Sequence, residues 1–259
     1  MKSYLDSLFS LHNKIAIVTG AARGNGKAIS EALGKSGAKV ILIDILEKEL
    51  KNTEKNLQKK GIKVKGIVAD ITKEDEIKRI IKIVKRDFKK IDILVNNAGV
   101  TFPSNFINYS EKDWEKTFDV NLKSVFRISQ ELAKIMIKQK SGVIINIGSI
   151  SAVVALPNNP AYNASKAALV QLSKSMALDL GNYGIRVNCL TLGYFKTKMT
   201  QKSWNSIKLR KKRTERTILG RWGESKDLTG IIIFLASNAS NYITGENIFL
   251  DGGWTSKGL

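Results

Sequence analysis

Residues 14–26 read KIAIVTGAARGNG, a β-branched apolar run that passes at Thr19 directly into a turn holding Gly20, Gly24 and Gly26. A run of that length is read as a buried strand. Glycines at the turn into a helix let backbone N–H groups approach a pyrophosphate closely, and the helix dipole favours the negative charge. A glycine turn alone is weak evidence, since an ordinary strand-to-helix turn has the same composition. Outward from it, the runs KVILID, KVKGIV, IDILVN, GVIINIG, GIRVNCL and ENIFLD alternate with segments of helical period at about 24–36, 47–60, 73–89, 110–139, 160–181 and 225–237. Strands alternating with helices imply an α/β chain, a doubly wound parallel sheet of seven strands with helices on both faces. In such sheets ligands bind at the carboxyl ends of the strands.

The 259 residues include three prolines and no Gly/Ser-rich or Pro-rich stretch that would mark a linker, so 1–259 reads as one domain. The single cysteine, Cys189 in IRVNCL, excludes an intrachain disulfide framework and reads as a small core residue of a protein in a reducing compartment. The first residues lack the apolar core of a signal peptide, and the longest apolar run, IIIFLA from Ile231, is too short to cross a bilayer. A cytoplasmic protein with no membrane contact is expected. The net charge of +20 raises the question of nucleic acid, but most of the Lys and Arg fall at spaced positions opposite apolar stripes, as in EIKRIIKIVKRDFKK. No nucleic-acid partner is expected. His12, the only histidine, has no Cys or His partner for a metal, and none is expected.

Asp44 ends the second strand at the spacing where an acid accepts the ribose hydroxyls of adenosine. A carboxylate there repels a 2′-phosphate, which favours NAD over NADP, with Arg23 in the glycine turn a partial counterweight. The third strand is read to end at Asp70 and Ile71, and the fourth runs into Asn96, Asn97, Ala98 and Gly99, where an acid and a small amide-rich turn can frame the adenine. Tyr162 and Lys166 in YNASK stand one helical turn apart. A phenol of pKa about 10 is a poor base at neutral pH, and an adjacent ammonium favours its phenolate. Six tyrosines in a lysine-rich chain make about one such spacing by chance, and Tyr194 with Lys198 is that decoy. Only Tyr162 has Ser149 directly after the strand GVIINIG, where a hydroxyl can hold a substrate oxygen against the phenol. Phe102, Phe106 and Trp114 are read as packing or pocket-wall residues.

TGAARGNG, Asp70, NNAG, Asn121 in NLKS, Ser149 in GSIS, YNASK and the ending TGENIFLDGG stand in one order and spacing. In this the chain resembles the short-chain dehydrogenase/reductase family over almost its full length. The resemblance implies a single Rossmann-type domain and an oxidoreductase that transfers a hydride between nicotinamide and a secondary alcohol or ketone. It implies that Tyr162 is the acid/base, that Lys166 lowers its pKa and binds the nicotinamide ribose, that Ser149 orients the reacting oxygen, and that Asn121 holds a water in a proton relay from Lys166. It makes Gly20, Arg23, Asn25, Gly26, Asp44, Asp70, Ile71, Asn97, Ala98, Gly99, Tyr162, Lys166 and Thr197 the cofactor contacts, and implies a homotetramer through the helices starting near 110 and 160 and the last strand. Two residues depart from the family pattern: Asn25 replaces an apolar residue of the glycine turn, and Leu192 replaces the proline of a Pro-Gly pair, which frees the loop bearing Thr197.

By the same resemblance the segment at about 194–222 closes the substrate pocket. It carries nine Lys and Arg from Lys196 to Arg216 against the single acid Glu215, read either as a solvated basic face or as an attraction for an anionic substrate. The sequence is similar to gluconate 5-dehydrogenase-like and polyol dehydrogenases, so a polyol, sugar or sugar acid is the expected substrate. The alternative is a 3-oxoacyl-acyl-carrier-protein reductase, for which Lys140 fills one carrier-binding position and Tyr183 replaces the other. A third reading is an NAD-binding scaffold without turnover.

Overall fold

Ile15–Thr19 form β1, and all five residues are buried. This is the pattern of a strand covered on both faces. The computed structural model describes residues 4–258, so residues 1–3 and 259 of the domain read from the sequence lie outside it. After β1 follow α2 (Gly24–Lys35), β2 (Lys39–Asp44), α3 (Glu47–Lys59), β3 (Val64–Val68), α4 (Glu74–Asp87) and β4 (Ile93–Asn96). The second half runs α5 (Glu111–Phe118), α6 (Ser124–Gln139), β5 (Gly142–Ser149), α7 (Pro160–Leu180), β6 (Ile185–Leu192), α8 (Gln201–Asn205), α9 (Ile207–Arg216), α10 (Leu228–Ala236) and β7 (Asn247–Leu250). A short α1 (Tyr4–Phe9), not expected from the sequence, precedes β1 and buries no residue.

The seven strands pair in the order β3-β2-β1-β4-β5-β6-β7, every pair parallel. The order reverses between β1 and β4, so the crevice for a ligand opens at the carboxyl ends of these two strands. Two apolar layers flank the sheet. One joins Ile29 and Leu33 of α2, Leu50 and Leu57 of α3 and Leu228 to Leu235 of α10 to one face. The other joins Ile77, Ile80 and Val84 of α4, Ile128 and Leu132 of α6 and Ala177 of α7 to the opposite face. On α4 the buried positions Ile77, Ile80, Ile81 and Val84 recur at helical spacing, and burying each such side chain stabilises by roughly 1.5–3 kcal/mol.

Three expectations are corrected. The helix read at 110–139 is interrupted by a wider, π-helical turn at Asp119–Lys123. The third strand ends at Val68 rather than at Asp70 and Ile71. Asp70 instead starts a turn, its Oδ1 accepting from the N–H and hydroxyl of Thr72 at 3.0 and 2.7 Å. The loop after β6 is not freed by the missing proline. Lys196 N donates to Gly223 O at 3.0 Å, Gly223 N donates to Tyr194 O at 2.9 Å, and the Thr200 hydroxyl donates to Phe195 O at 2.5 Å.

Candidate active site

Gly20 has φ +64°, a left-handed conformation that glycine adopts without strain. A Cβ on Gly26 would run into the carbonyl oxygen of Gly20 and the Asn97 amide, so only glycine lets α2 start this close to the end of β1. Asp44 Oδ2 accepts from Ala22 N at 2.9 Å and Oδ1 accepts from Leu46 N at 3.0 Å. The Thr53 hydroxyl donates to Ala22 O at 2.6 Å. The turn is therefore held at both ends of one residue, and each Asp44 oxygen keeps a further lone pair for a ligand hydroxyl. Arg23 leans the other way, its guanidinium 3.6 Å from Glu49. Asn25 Oδ1 accepts a long 3.4 Å bond from the Ser225 hydroxyl, which ties the glycine turn to the chain before α10.

The ends of β1 and β4 are latched together. Thr19 Oγ1 accepts from Asn97 N and Ala98 N at 3.0 and 3.1 Å, and Asn97 Nδ2 donates to Thr19 O and Gly20 O at 3.0 and 3.1 Å. The Asn97 side chain is thus engaged in shaping the glycine turn. Ile71 is buried in the core at 8% exposure, so only its backbone is available to a ligand. Thr197 reaches back over the glycine turn: a Cβ on Gly24 would lie 3.6 Å from its methyl.

At the end of β5, Ser149 is almost buried and its Oγ accepts from Ser151 N at 3.2 Å. Pro160, at the first turn of α7 where its missing N–H is no loss, starts the helix that carries Tyr162 and Lys166. Lys166 is 5% exposed and its Nζ donates to Ile147 O at 2.8 Å, 5.8 Å from the centre of the Tyr162 ring. Burial pushes the Lys166 ammonium down to about 8. Burial likewise pushes the Tyr162 phenol up, against a smaller lowering by its hydrogen bond to Ser149. The direction for Tyr162 is opposite to the one the resemblance implies, because desolvation outweighs every favourable contact of the phenolate.

Asn121 sits on the π-helical turn and is fully buried. Its Oδ1 accepts from Val100 N at 2.8 Å, and its Nδ2 donates to Val100 O at 3.0 Å and to Ser165 Oγ at 3.2 Å. Gly99 lies between the two polar groups: a Cβ there would lie 3.4 Å from Asn121 Oδ1 and 3.8 Å from Lys166 Nζ. Glycine turn, Asp44, Gly99, Ser149, Tyr162, Lys166 and Thr197 all lie at the carboxyl end of the sheet. Among the described residues there is no cluster of three or more potential metal ligands, and no helix is long and apolar enough to cross a membrane.

Sequence reasoning missed Thr19, Thr53 and the aromatic cluster under α9. Tyr194 packs on Trp222 and Trp254 with ring centres 5.1 and 6.1 Å apart, and Trp204 meets Trp222 at 5.3 Å. The basic side chains above are not all solvated: Lys196 and Arg210 lie over Trp204 at 4.3 and 5.1 Å, Arg213 over Tyr194 at 4.4 Å and Arg216 over Trp254 at 4.4 Å. Trp204 and Trp222 within the basic segment were the signal, while Trp254 lies far along the chain.

The family model described as enoyl-(acyl carrier protein) reductase, one of the short-chain dehydrogenase/reductase models, matches residues 20–255. The chain is 37% identical over 243 residues to the 3-oxoacyl-[acyl-carrier-protein] reductase FabG of Thermotoga maritima, covering 94% of this chain and 98% of that one. It is 36% identical over 248 residues to gluconate 5-dehydrogenase of Gluconobacter oxydans, covering 96% and 97%. Among solved structures, a gluconate 5-dehydrogenase from Burkholderia cenocepacia, in complex with NADP and tartrate, superposes with a TM-score of 0.95 at 33% identity, over 98% of this chain and 100% of that one.

Proposed function

Because the chain belongs to the short-chain dehydrogenase/reductase family, and so is an oxidoreductase of secondary alcohols and ketones that uses a nicotinamide cofactor, we propose that it is an NAD(H)-linked dehydrogenase of a sugar acid. One arrangement carries this reading: Tyr162 and Lys166 on one face of α7, Ser149 at the neighbouring strand end, and a glycine turn with Asp44 across the switch point. The glycine turn fits a dinucleotide, since a Cβ on Gly20 or Gly26 would run into the backbone that shapes the cradle. When bound, the nicotinamide supplies the hydride acceptor or donor.

The residues of this chain do the rest. Ser149 donates a hydrogen bond to the reacting oxygen and Tyr162 holds it from the other side. In oxidation the Tyr162 oxygen takes the hydroxyl proton as the hydride leaves, and in reduction it returns that proton. Burial pushes the Tyr162 phenol up and the Lys166 ammonium down, which keeps the phenol protonated and ready to donate in reduction. Asn121 keeps the Gly99–Val100 backbone fixed beside Lys166 and is the group through which a water would be held. The segment at about 194–222, with α8 and α9, closes over the substrate.

The second reading, a 3-oxoacyl-acyl-carrier-protein reductase, has the relative FabG in its favour. Lys140 is available at the end of α6, but Tyr183 stands where the second basic residue for the carrier would be. A screen with NAD and NADP against sugar acids, polyols and 3-oxoacyl thioesters separates the readings. Turnover confined to the thioesters selects the second, and cofactor binding without turnover of any of them selects a scaffold. The assembly we favour is a homotetramer through α5, α6, α7 and β7, supported by exposed apolar side chains on those elements, among them Phe126 on α6 and Leu178 on α7.

A further inference from the structure

Arg213 differs from the other cations of α9. Lys208, Lys211 and Lys212 are exposed, whereas Arg213 is half-buried with its guanidinium 4.4 Å above the Tyr194 ring and 5.9 Å from the Trp222 ring. Among the described residues no carboxylate pairs with it. The one acid of the helix, Glu215, faces Lys211 at 3.8 Å. The cations that line the neighbouring 360 Å³ cavity are by contrast partly engaged, Lys196 by Glu224 at 3.0 Å and Arg221 by Asp227 at 2.7 Å.

The surroundings of Arg213 are aromatic, with the Tyr194 phenol beside it. Trp222 and Trp254, which flank Tyr194, are 2% and 8% exposed, and the indole nitrogen of each is buried without an acceptor. The Tyr194 hydroxyl occupies part of the guanidinium's five N–H donors, and with no carboxylate beside it the rest are left for an acceptor that is not part of this chain. Tyr194 connects the cluster to the chemistry. It follows β6 at the same end of the sheet as Tyr162, near enough that its charge would disfavour ionisation of the Tyr162 phenol, and Arg213 hydrogen-bonds its hydroxyl.

We infer that Arg213, seated on Tyr194, binds the carboxylate of the substrate and so makes this dehydrogenase selective for sugar acids over neutral polyols. The inference rests on the sugar-acid reading above. A planar guanidinium takes a carboxylate bidentately, and the aromatic bed fixes its orientation before the substrate arrives.

The test compares wild type, Arg213→Ala, Arg213→Lys and Lys212→Ala with gluconate and with its neutral counterpart sorbitol, by steady-state kinetics with NAD and by calorimetric titration of gluconate into the NAD-loaded protein. In Arg213→Ala, KM and Kd for gluconate rise about 30-fold or more while kcat falls less, as expected for a lost charge-assisted contact made in the ground state. Sorbitol parameters stay within about twofold, Arg213→Lys recovers part of the loss, and Lys212→Ala matches wild type, since a screened surface charge acts weakly. Unchanged gluconate KM, equal losses on sorbitol, or the same effect in Lys212→Ala would overturn the inference. Wild-type turnover of gluconate with Arg213-independent affinity leaves the sugar-acid reading standing and sinks the subsite. Arg213-dependent gluconate binding without turnover does the reverse, and neither binding nor turnover sinks both.

Discussion

The side-chain amide of Asn121 pairs with the backbone of Val100 as a neighbouring strand would, accepting from its N–H at 2.8 Å and donating to its C=O at 3.0 Å. The π-helical turn at Asp119–Lys123 turns the amide toward that backbone, and such turns are frequent at functional sites. Asn121→Ala leaves both Val100 groups without their partner beside a buried site. We expect a loss of roughly 2–3 kcal/mol, or on the order of 5–10 °C in Tm for a domain of this size. Turnover falls with it as the Gly99–Val100 segment loosens. Thermal unfolding followed by circular dichroism checks this, and a Tm within a degree of wild type would show that the pairing is not needed.

Lys166 gives a pH dependence of definite sign. Burial lowers its pKa from the ordinary 10.5 to about 8 in the folded protein. Between those values the unfolded chain holds a proton that the folded chain has lost, so stability rises with pH through the window, by up to about 3 kcal/mol from this residue. Below pH 8 the folded state bears the whole cost of a buried ammonium, offset in part by its bond to Ile147 O. Lys166→Met removes both. The stability of wild type relative to this inactive variant should improve by roughly 2–3 kcal/mol between pH 7 and pH 10, read from urea unfolding at each pH. A difference that does not change with pH would contradict the assignment.

Cofactor choice turns on Asp44 and Arg23. Asp44 is fixed by Ala22 N and Leu46 N with lone pairs to spare, while Arg23 is drawn toward Glu49. Ribose hydroxyls gain two charge-assisted bonds at Asp44, and a 2′-phosphate meets a like charge. The expected preference for NAD is roughly 2–3 kcal/mol, about thirty- to a hundred-fold in kcat/KM. Asp44→Ala narrows that gap by weakening NAD and releasing NADP from repulsion. Kinetics with both cofactors decide it, and an unchanged ratio in the variant would mean that another residue discriminates.

Much of this was legible in the sequence because strand ends and motif positions coincide in a parallel sheet. KVILID ends at Asp44, GVIINIG runs into Ser149, and YNASK opens the helix α7, all within a residue of where the structure has them. What was not legible depends on contacts between distant segments. Nothing in NLKS distinguishes a π-helical turn from an α-helix, since the turn is set by the Val100 and Ser165 partners of Asn121. The basic run from Lys196 to Arg216 reads as a solvated face until Trp222 and Trp254, remote in sequence from most of it, are brought beneath Arg213 and Arg216. The direction of the Tyr162 shift follows from burial, which spacing does not encode.

The homotetramer has a simple test. Leu178 on α7 is 81% exposed in the single chain, an unfavourable position for a leucine on a helix whose other face packs on the sheet. Leu178→Glu places a charge in the expected interface, and light scattering at micromolar concentration should show a tetramer for wild type and smaller species for the variant. A monomeric wild type would refute the assembly.

The central claim is that the Tyr162 hydroxyl moves the proton that accompanies the hydride. Tyr162→Phe retains the ring and its packing and removes only that hydroxyl. The measurement is sugar-acid oxidation with NAD by wild type and variant, with NADH affinity determined in parallel by fluorescence titration. The account predicts a fall in kcat of about 10²- to 10⁴-fold with NADH affinity within a few-fold of wild type. Turnover near the wild-type rate in Tyr162→Phe, with the cofactor bound, would contradict it.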